Sequence, residues 1–256
     1  EEAHLGGKPI GAYFDLITGT STGGIIALGL AAGLPASRIL KLYLERGCKV
    51  FPRPASPLAA WVTNKARSVW SLSAYRYCRA PLEDMLSDTL GIMQLHDAKT
   101  RLCIPAFEGH YGEVYIFKTP HHPDYKRDFR EPMVQVALAT GAAPTFFRAL
   151  ARGGYTFVDG GLWANNPVMI GLVDALACYD VPRERVRILS IGNGPYRTPM
   201  SWSQCVRGGA ISWRTGLFAA MDLQSQNAIG QAGLLIGRDR LLRLDVPSLA
   251  RVIEMD

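Results

Sequence analysis

Ser21 is the side chain of this sequence that is best placed for covalent chemistry. It stands within Gly19-Thr20-Ser21-Thr22-Gly23, between an apolar strand-like run and a helix-like run. This pattern is typical of a nucleophile elbow, a tight strand-to-helix turn that presents a serine hydroxyl. We expect Gly19 and Gly23 to be required, because a Cβ at either position would collide within the cramped turn. The hydroxyl would lie near the positive end of the following helix, where the Thr22 amide is the candidate oxyanion donor.

Two other interpretations of this glycine-rich segment have to be weighed. A phosphate-binding loop requires a lysine followed by serine or threonine where its helix starts. Gly24-Ile25-Ile26 occupy that place, which excludes a nucleotide-hydrolase loop of this kind. An ordinary loop of glycine, serine and threonine is not excluded, so the motif alone leaves two interpretations open.

The base that would activate this serine is not predicted to be a histidine. A Ser-His-Asp hydrolase with such an elbow places its histidine late in the chain, and no histidine follows His122. His121 and His122 lie in a proline-bounded segment that is typical of an exposed turn. The histidine and cysteine spacings do not indicate a metal site either. The five histidines are His4, His96, His110, His121 and His122.

Asp159 is the stronger candidate for the base. A β-type run that begins at Tyr155 ends on it, and Gly160 and Gly161 then turn the chain. A carboxylate at a strand end beside a cleft can accept a serine proton directly, since partial burial makes a carboxylate a better base. An aspartate in this position can equally cap the glycine turn. The segment by itself leaves both roles open.

Taken together, these segments resemble the patatin-like phospholipase family. That resemblance implies a Ser–Asp dyad of Ser21 and Asp159, with Gly160, Gly161 and Asn166 as supporting or turn residues. It also implies an acyl-serine intermediate, a phospholipid or related acyl lipid as substrate, and no metal or cofactor. Gly141 stands where the family usually has serine. The four matching blocks are 19–24, 137–147, 159–167 and 189–194.

The start of the sequence departs from the family pattern. Patatin-like proteins carry a glycine-rich strand end well before the nucleophile, and its amides form the oxyanion hole. Gly6 and Gly7 are typical of a helix end and a turn instead. We therefore expect the first strand and its loop to be missing from this chain. This departure keeps an alternative open, a non-catalytic lipid- or nucleotide-binding module on the same fold.

Composition predicts one α/β domain over residues 1–256. The chain is 48% hydrophobic and 20% charged, which suffices for a full core. The longest apolar stretch is too short to span a bilayer. Five cysteines without paired spacing favour reduced thiols and a cytoplasmic location. A net charge of +6 favours acidic surfaces, but no nucleic-acid-binding motif accompanies it.

Strand and helix patterns alternate along the chain, which predicts a three-layer α/β/α sandwich with a mostly parallel central sheet. The predicted strands are 13–18, 101–107, 113–118, 186–191 and 241–246, besides the run ending at Asp159. The predicted helices are 22–32, 35–47, 81–91, 131–140, 166–177 and 211–229.

Residues 51–79 form the least regular stretch, in which prolines break the chain and aromatic residues alternate with cations. Such a mixture suits contact with anionic lipid at a membrane interface. It also suits a cap whose aromatic residues belong to an ordinary core.

A narrower resemblance is carried by the run Gly7-Lys8-Pro9-Ile10-Gly11 and its continuation into the elbow. It is similar to bacterial patatin-like effectors of anti-phage defence, which cyclic dinucleotides activate and which attack the cell's own membrane. This implies a cyclic dinucleotide activator, a homo-oligomeric active state, and a cytoplasmic protein that acts peripherally at the inner membrane. Arg238, Arg240 and Arg243 are candidate contacts for the regulator's phosphates.

Overall fold

The computed structural model describes residues 2–52, 75–194, 201–202, 206 and 216–246. The chain divides into two compact units, one ending at Gly160 and the other beginning at Gly161. Two compact units are compatible with one domain, so the single-domain assignment remains a prediction.

The first unit combines a five-stranded sheet with helices. Its strands are β1 Leu16–Thr18, β2 Arg101–Glu108, β3 Glu113–Lys118, β4 Leu150–Arg152 and β5 Tyr155–Asp159. Its helices are α1 Glu2–Leu5, α2 Thr22–Ala31, α3 Ala36–Val50, α4 Ala80–Leu90 and α5 Met133–Thr140, with 3₁₀ turns at Ile10–Tyr13 and Leu95–Asp97.

Strand β2 is the centre of this sheet, and neighbours pair with both of its edges. Cys103 lies opposite Thr18 of β1, in a parallel pairing, and opposite Lys118 of β3, in an antiparallel pairing. A strand has only two hydrogen-bonding edges, so β1 and β3 lie on opposite edges of β2.

Strand β5 shares an edge of β2 with β1. Ala106 lies opposite Tyr115 of β3 and opposite Asp159 of β5, so β5 is also on the edge away from β3. Because β1 runs parallel to β2 and β5 runs antiparallel, the two carboxyl ends point toward each other. They converge on Ile104 and Pro105, which pair on that edge with none of the described strands.

Helices α2 and α5 pack against β2 and against each other. Both helices are apolar over most of their surface, as expected for helices buried by a sheet. Their side chains join those of β2 in one core. Fully buried members include Leu28, Leu102, Ile104, Val136 and Leu138.

The α/β class predicted from the sequence is confirmed, and the sheet is mixed rather than mostly parallel. Among the described strands of the first unit, β1–β2 is the parallel pair, while β2–β3, β2–β5 and β4–β5 are antiparallel. Strand β4 was not predicted. It forms a hairpin with β5 through Gly153 and Gly154, whose φ angles of +58° and +86° are those that a tight hairpin turn needs.

Most helices and strands lie close to their predicted positions. The predicted first strand was too long, because Tyr13 belongs to a 3₁₀ turn and β1 begins at Leu16. The last helix was predicted to end near 229, whereas α8 continues to Ile236, and its predicted start at 211 lies outside the described residues. The remaining boundaries shift by at most about three residues, close to the uncertainty that helix and strand ends commonly have.

The second unit packs helices beside a two-stranded parallel sheet. Its helices are α6 Gly161–Ala164, α7 Val168–Cys178 and α8 Gly216–Ile236, with 3₁₀ turns at Arg183–Arg185 and Arg238–Arg240. Its strands are β6 Ile188–Ile191 and β7 Leu241–Leu244. Among the described residues, the buried core of this unit includes Val168, Leu172, Ala228, Ala232 and Ile236.

The stretch 51–79 is described only at its ends, since residues 53–74 lie outside the described residues. Tyr77 is buried, and its ring meets that of Phe51 edge-on with centroids 5.2 Å apart. Phe146 and Phe147 complete this aromatic group. Tyr77 therefore belongs to an ordinary core, whereas Tyr75 is half exposed.

Two further properties of the described residues concern their cysteines and the composition of their helices. Cys48, Cys78, Cys103 and Cys178 are not joined in disulfide bonds. None of the helices in the described ranges has both the length and the apolar composition that crossing a bilayer requires.

Glu108 ties the end of β2 to its neighbours through a buried carboxylate. The side chain is 1% exposed, and it accepts hydrogen bonds from the amides of Thr156 at 2.8 Å and Tyr111 at 2.5 Å. Burial alone would raise the pKa of Glu108, but these bonds and one from the His110 amide outweigh burial and lower that pKa. A carboxyl with a lowered folded-state pKa stabilises the fold above its unfolded pKa, and this stabilisation is lost as pH falls through the folded value.

We expect Glu108→Gln to lower the free energy of unfolding at pH 7 by about 1–3 kcal/mol, since the amide cannot accept both backbone hydrogen bonds. The difference from the unsubstituted protein should shrink as pH falls below about 4. Urea unfolding over a pH series measures both effects. Glu113→Gln, on the exposed start of β3, is the matched control. An equal loss in the control would contradict this prediction.

Candidate active site

Ser21 occupies a strained backbone position between β1 and α2. Its φ of +55° and ψ of −125° are unusual for a non-glycine residue, and such a conformation costs about 1–3 kcal/mol. Its carbonyl oxygen accepts hydrogen bonds from the amides of Gly24 at 2.9 Å and Ile25 at 3.1 Å. The strand, turn and helix predicted around Ser21 are all present.

The glycines required by this turn are not quite those expected from the sequence. A Cβ on Gly19 would overlap the backbone carbonyl of Gly23. A Cβ on Gly24 would lie only 2.7 Å from the Cγ2 of Thr140. A Cβ on Gly23 would meet nothing within 4 Å, so the collision expected there is wrong. The need for Gly24 was missed, although the doubled glycine of the motif was a signal for it.

Thr22 is the first residue of α2 and is exposed. Amides in the first turn of a helix have no partner within that helix and carry its positive dipole end. The hydroxyl of Tyr43 donates a hydrogen bond to the carbonyl oxygen of Thr22 at 3.3 Å. This bond helps to hold the peptide group between Thr22 and Gly23. The position suits an oxyanion donor, and that role remains a prediction.

Asp159 ends β5 and is 5% exposed. Its amide donates to the carbonyl of Ala142 at 3.0 Å. A Cβ on the next residue, Gly160, would overlap the carbonyl of Pro105, so the chain leaves β5 pressed against β2. This close approach explains why glycine follows the aspartate.

One short segment at the end of α5 bonds to both predicted dyad residues. The Ser21 amide donates to Thr140 Oγ1 at 3.0 Å, and that hydroxyl donates to the carbonyl of Pro105 at 2.6 Å. Two residues later, the Ala142 carbonyl accepts the amide of Asp159. Both residues thus flank the stretch of β2 on which β1 and β5 converge. The sequence pattern included Thr140 but assigned it no role.

Gly161 and Asn166 belong to the second unit, where Asn166 has a clear structural task. It is 7% exposed, and its Oδ1 accepts the amide of Val168 at 3.1 Å. Its Nδ2 donates to Ser225 Oγ at 3.3 Å, and its backbone amide donates to Gln224 Oε1 at 3.0 Å. Asn166 therefore joins the start of α7 to α8, which is consistent with the predicted turn role.

Two of the three arginines considered as phosphate contacts, Arg240 and Arg243, take part in interactions inside the second unit. Arg240 donates to the Ile236 carbonyl at 2.6 Å, at the end of α8. Arg243 donates to Ser190 Oγ at 2.8 Å and pairs with Asp245 at 2.9 Å. Hydrogen bonds from Gly194 and Arg243 outweigh burial and lower the pKa of Asp245. A role for Arg238, Arg240 and Arg243 in binding a regulator remains a prediction.

Comparison with known proteins shows the family to which this chain belongs. The family model described as patatin-like phospholipase matches residues 2–172, which include Ser21 and Asp159. The chain belongs to the patatin-like phospholipase family. The resemblance inferred from the sequence motifs is therefore confirmed.

Three curated bacterial relatives carry the name cGAMP-activated phospholipase. The Pseudomonas aeruginosa protein is 38% identical over 223 residues, covering 83% of this chain and 62% of that protein. The Vibrio cholerae protein is 38% identical, covering 75% of this chain and 56% of that protein. The Escherichia coli protein is 40% identical, covering 72% of this chain and 51% of that protein. These names match the narrower resemblance, and the patatin-like chain spans half to three fifths of each relative's length.

We expect Gly19→Ala to destabilise this patatin-like chain by about 1–3 kcal/mol, because the new methyl group must displace backbone. Gly23→Ala should leave stability unchanged or raise it by up to about 1 kcal/mol, since alanine favours the first turn of α2 more than glycine does. Equilibrium urea unfolding compares the two variants directly. Equal losses of stability in the two variants would contradict the specific requirement for glycine at position 19.

Proposed function

We propose that this patatin-like chain is a lipid acyl hydrolase of the phospholipase A type. Ser21 is its nucleophile and Asp159 its base. The observation that carries the proposal is the convergence of β1 and β5 on one edge of β2, with one segment bonded to both residues. Family membership supports the same assignment.

The reaction would proceed through an acyl-serine. Ser21 Oγ attacks the ester carbonyl while Asp159 accepts its proton, and the resulting oxyanion lies at the start of α2 near the Thr22 amide. Collapse of this intermediate breaks the ester bond, and Asp159 returns the proton to the leaving alcohol. Water then attacks the acyl-serine while Asp159 accepts a proton from it. Collapse releases the fatty acid, and Asp159 returns the proton to Ser21 Oγ. The substrate class, a glycerophospholipid or related acyl lipid, follows from the family.

The narrower proposal is an anti-phage effector that a cyclic dinucleotide activates. Three relatives named cGAMP-activated phospholipase support activation by a cyclic dinucleotide. The anti-phage role follows from the narrower resemblance alone. The protein would then reside in the cytoplasm, assemble as a homo-oligomer when activated, and degrade phospholipid peripherally at the inner membrane.

We expect Ser21→Ala and Asp159→Asn each to lower kcat for ester hydrolysis by at least about 1,000-fold, since the two groups act as one unit. The assay measures fatty-acid release from phospholipid vesicles and hydrolysis of a soluble p-nitrophenyl ester. Asp128→Asn is the matched control. Asp128 is buried to a similar degree as Asp159, with 8% of it exposed, and it accepts a hydrogen bond from the Tyr115 hydroxyl. This variant should keep full kcat.

Retained hydrolysis in Ser21→Ala or Asp159→Asn would refute the dyad. If the folded, unsubstituted protein released nothing from any ester under any condition, the non-catalytic lipid- or nucleotide-binding module would replace the hydrolase.

The activation proposal predicts that vesicle hydrolysis rises when a cyclic dinucleotide is added to the full-length protein. A panel including cyclic GMP-AMP and linear dinucleotides would be tested, with Ser21→Ala as the blank. Light scattering on the same samples would report the predicted oligomer. Equal hydrolysis with and without every nucleotide would indicate a constitutive lipase and reject gating, while leaving the dyad intact.

A further inference from the structure

We propose that Thr140 is a positioning residue that holds Ser21 in its reactive geometry. The inference rests on the proposed function. Thr140 is the last residue of α5, and it is 0% exposed. Its hydroxyl accepts the Ser21 amide at 3.0 Å and donates to the Pro105 carbonyl at 2.6 Å.

The two hydrogen bonds fix the direction of the Thr140 hydroxyl. A hydroxyl has one proton and two acceptor lone pairs. Because Thr140 donates its proton to the Pro105 carbonyl, its oxygen can only accept in the bond with the Ser21 amide. The side chain itself is held by packing, because its Cγ2 occupies the space beside Gly24 that a Cβ would fill. Threonine is also stiff about χ1, which limits alternative positions for Oγ1.

Ser21 needs such a partner because its backbone conformation is strained. Its amide lies before the first turn of α2 and has no bond within that helix. The bond to Thr140 links the elbow to β2 through Pro105. Without it, the turn could relax and the serine hydroxyl would move relative to the base.

Thr140 also relates the two proposed dyad residues to each other. Ala142, two residues further on, accepts the amide of Asp159 at 3.0 Å. The end of α5 therefore sets the position of the nucleophile on one side and of the base on the other. In a proton transfer between them, a misplacement of about 1 Å is enough to cost roughly 100-fold in rate.

The decisive substitution is Thr140→Val, which keeps the shape of the side chain and removes both hydrogen bonds. We expect kcat on a soluble p-nitrophenyl ester to fall about 10- to 100-fold with little change in KM. The rate at which a fluorophosphonate probe labels Ser21 should fall in the same proportion. Thr140→Ser restores the hydroxyl and should recover most of both losses. Thr140→Cys, a weaker acceptor, should lie between them.

Thr119→Val is the matched control, because it removes the same kind of bond elsewhere in the first unit. Thr119 is 4% exposed, and its Oγ1 accepts the Leu102 amide at 2.9 Å. This variant should lose stability without losing kcat. Equal kcat losses in Thr119→Val and Thr140→Val, or no rescue by Thr140→Ser, would reduce Thr140 to a structural role and overturn the proposal.

Amide hydrogen exchange tests the positioning without relying on chemistry. Thr140→Val should speed exchange at the Ser21 amide, whereas Thr119→Val should speed it at Leu102. Unchanged exchange at Ser21 would overturn the proposal even if kcat fell. If the unsubstituted protein neither hydrolysed esters nor reacted with the probe, the proposed function would fail, and exchange would still decide whether Thr140 holds Ser21.

Discussion

The pairing of β2 is the constraint on which the rest of this structure depends. One edge of β2 is occupied by β3, and the other is shared by β1 and β5, which run toward each other. Pro105 lies in the stretch of β2 between these two pairings. Proline has no amide proton, so this unpaired position leaves no hydrogen-bond donor without a partner. The carbonyl of Pro105 still needs a donor, because a buried carbonyl without one is costly. The Thr140 hydroxyl supplies it, and so an interruption in the sheet becomes the anchor of the nucleophile turn.

The elbow persists because its strain is opposed from several directions. Ser21 accepts two amides of α2 through its carbonyl and donates its own amide to Thr140. Gly19 and Gly24 allow backbone and side chains to approach more closely than any Cβ would permit. Each hydrogen bond contributes about 0.5–1.5 kcal/mol, so together they offset a backbone strain of about 1–3 kcal/mol. The strained residue is thereby confined to one conformation, as a preorganised nucleophile requires.

The sequence predicted the local features of this site and missed the ones that depend on distant pairing. A strand, a glycine turn and a helix around Ser21 follow from local pattern, as does the strand ending at Asp159. The opposed directions of β1 and β5 do not, since strand pairing is set by residues far apart in the chain. The role of Thr140 arises only from tertiary contact. The requirement at Gly24 is partly local, because a Cβ there would approach the Gly19 carbonyl as well as the Thr140 side chain. Strand β4 is different, because Gly153 and Gly154 were a local hairpin signal.

A two-residue centre makes strict demands on the backbone that carries it. In a triad, a histidine between the serine and the carboxylate can adjust its ring to both. In a direct Ser–Asp dyad the two side chains must meet without such an intermediary. A displacement of either backbone therefore changes the distance between the two reacting groups directly and lowers the rate. Bonding both residues to one short segment limits this error, because Thr140 ends α5 and Ala142 lies only two residues further along the chain. The shared segment thus keeps the two residues of the proposed dyad aligned, whereas in a triad the adaptable imidazole maintains this alignment.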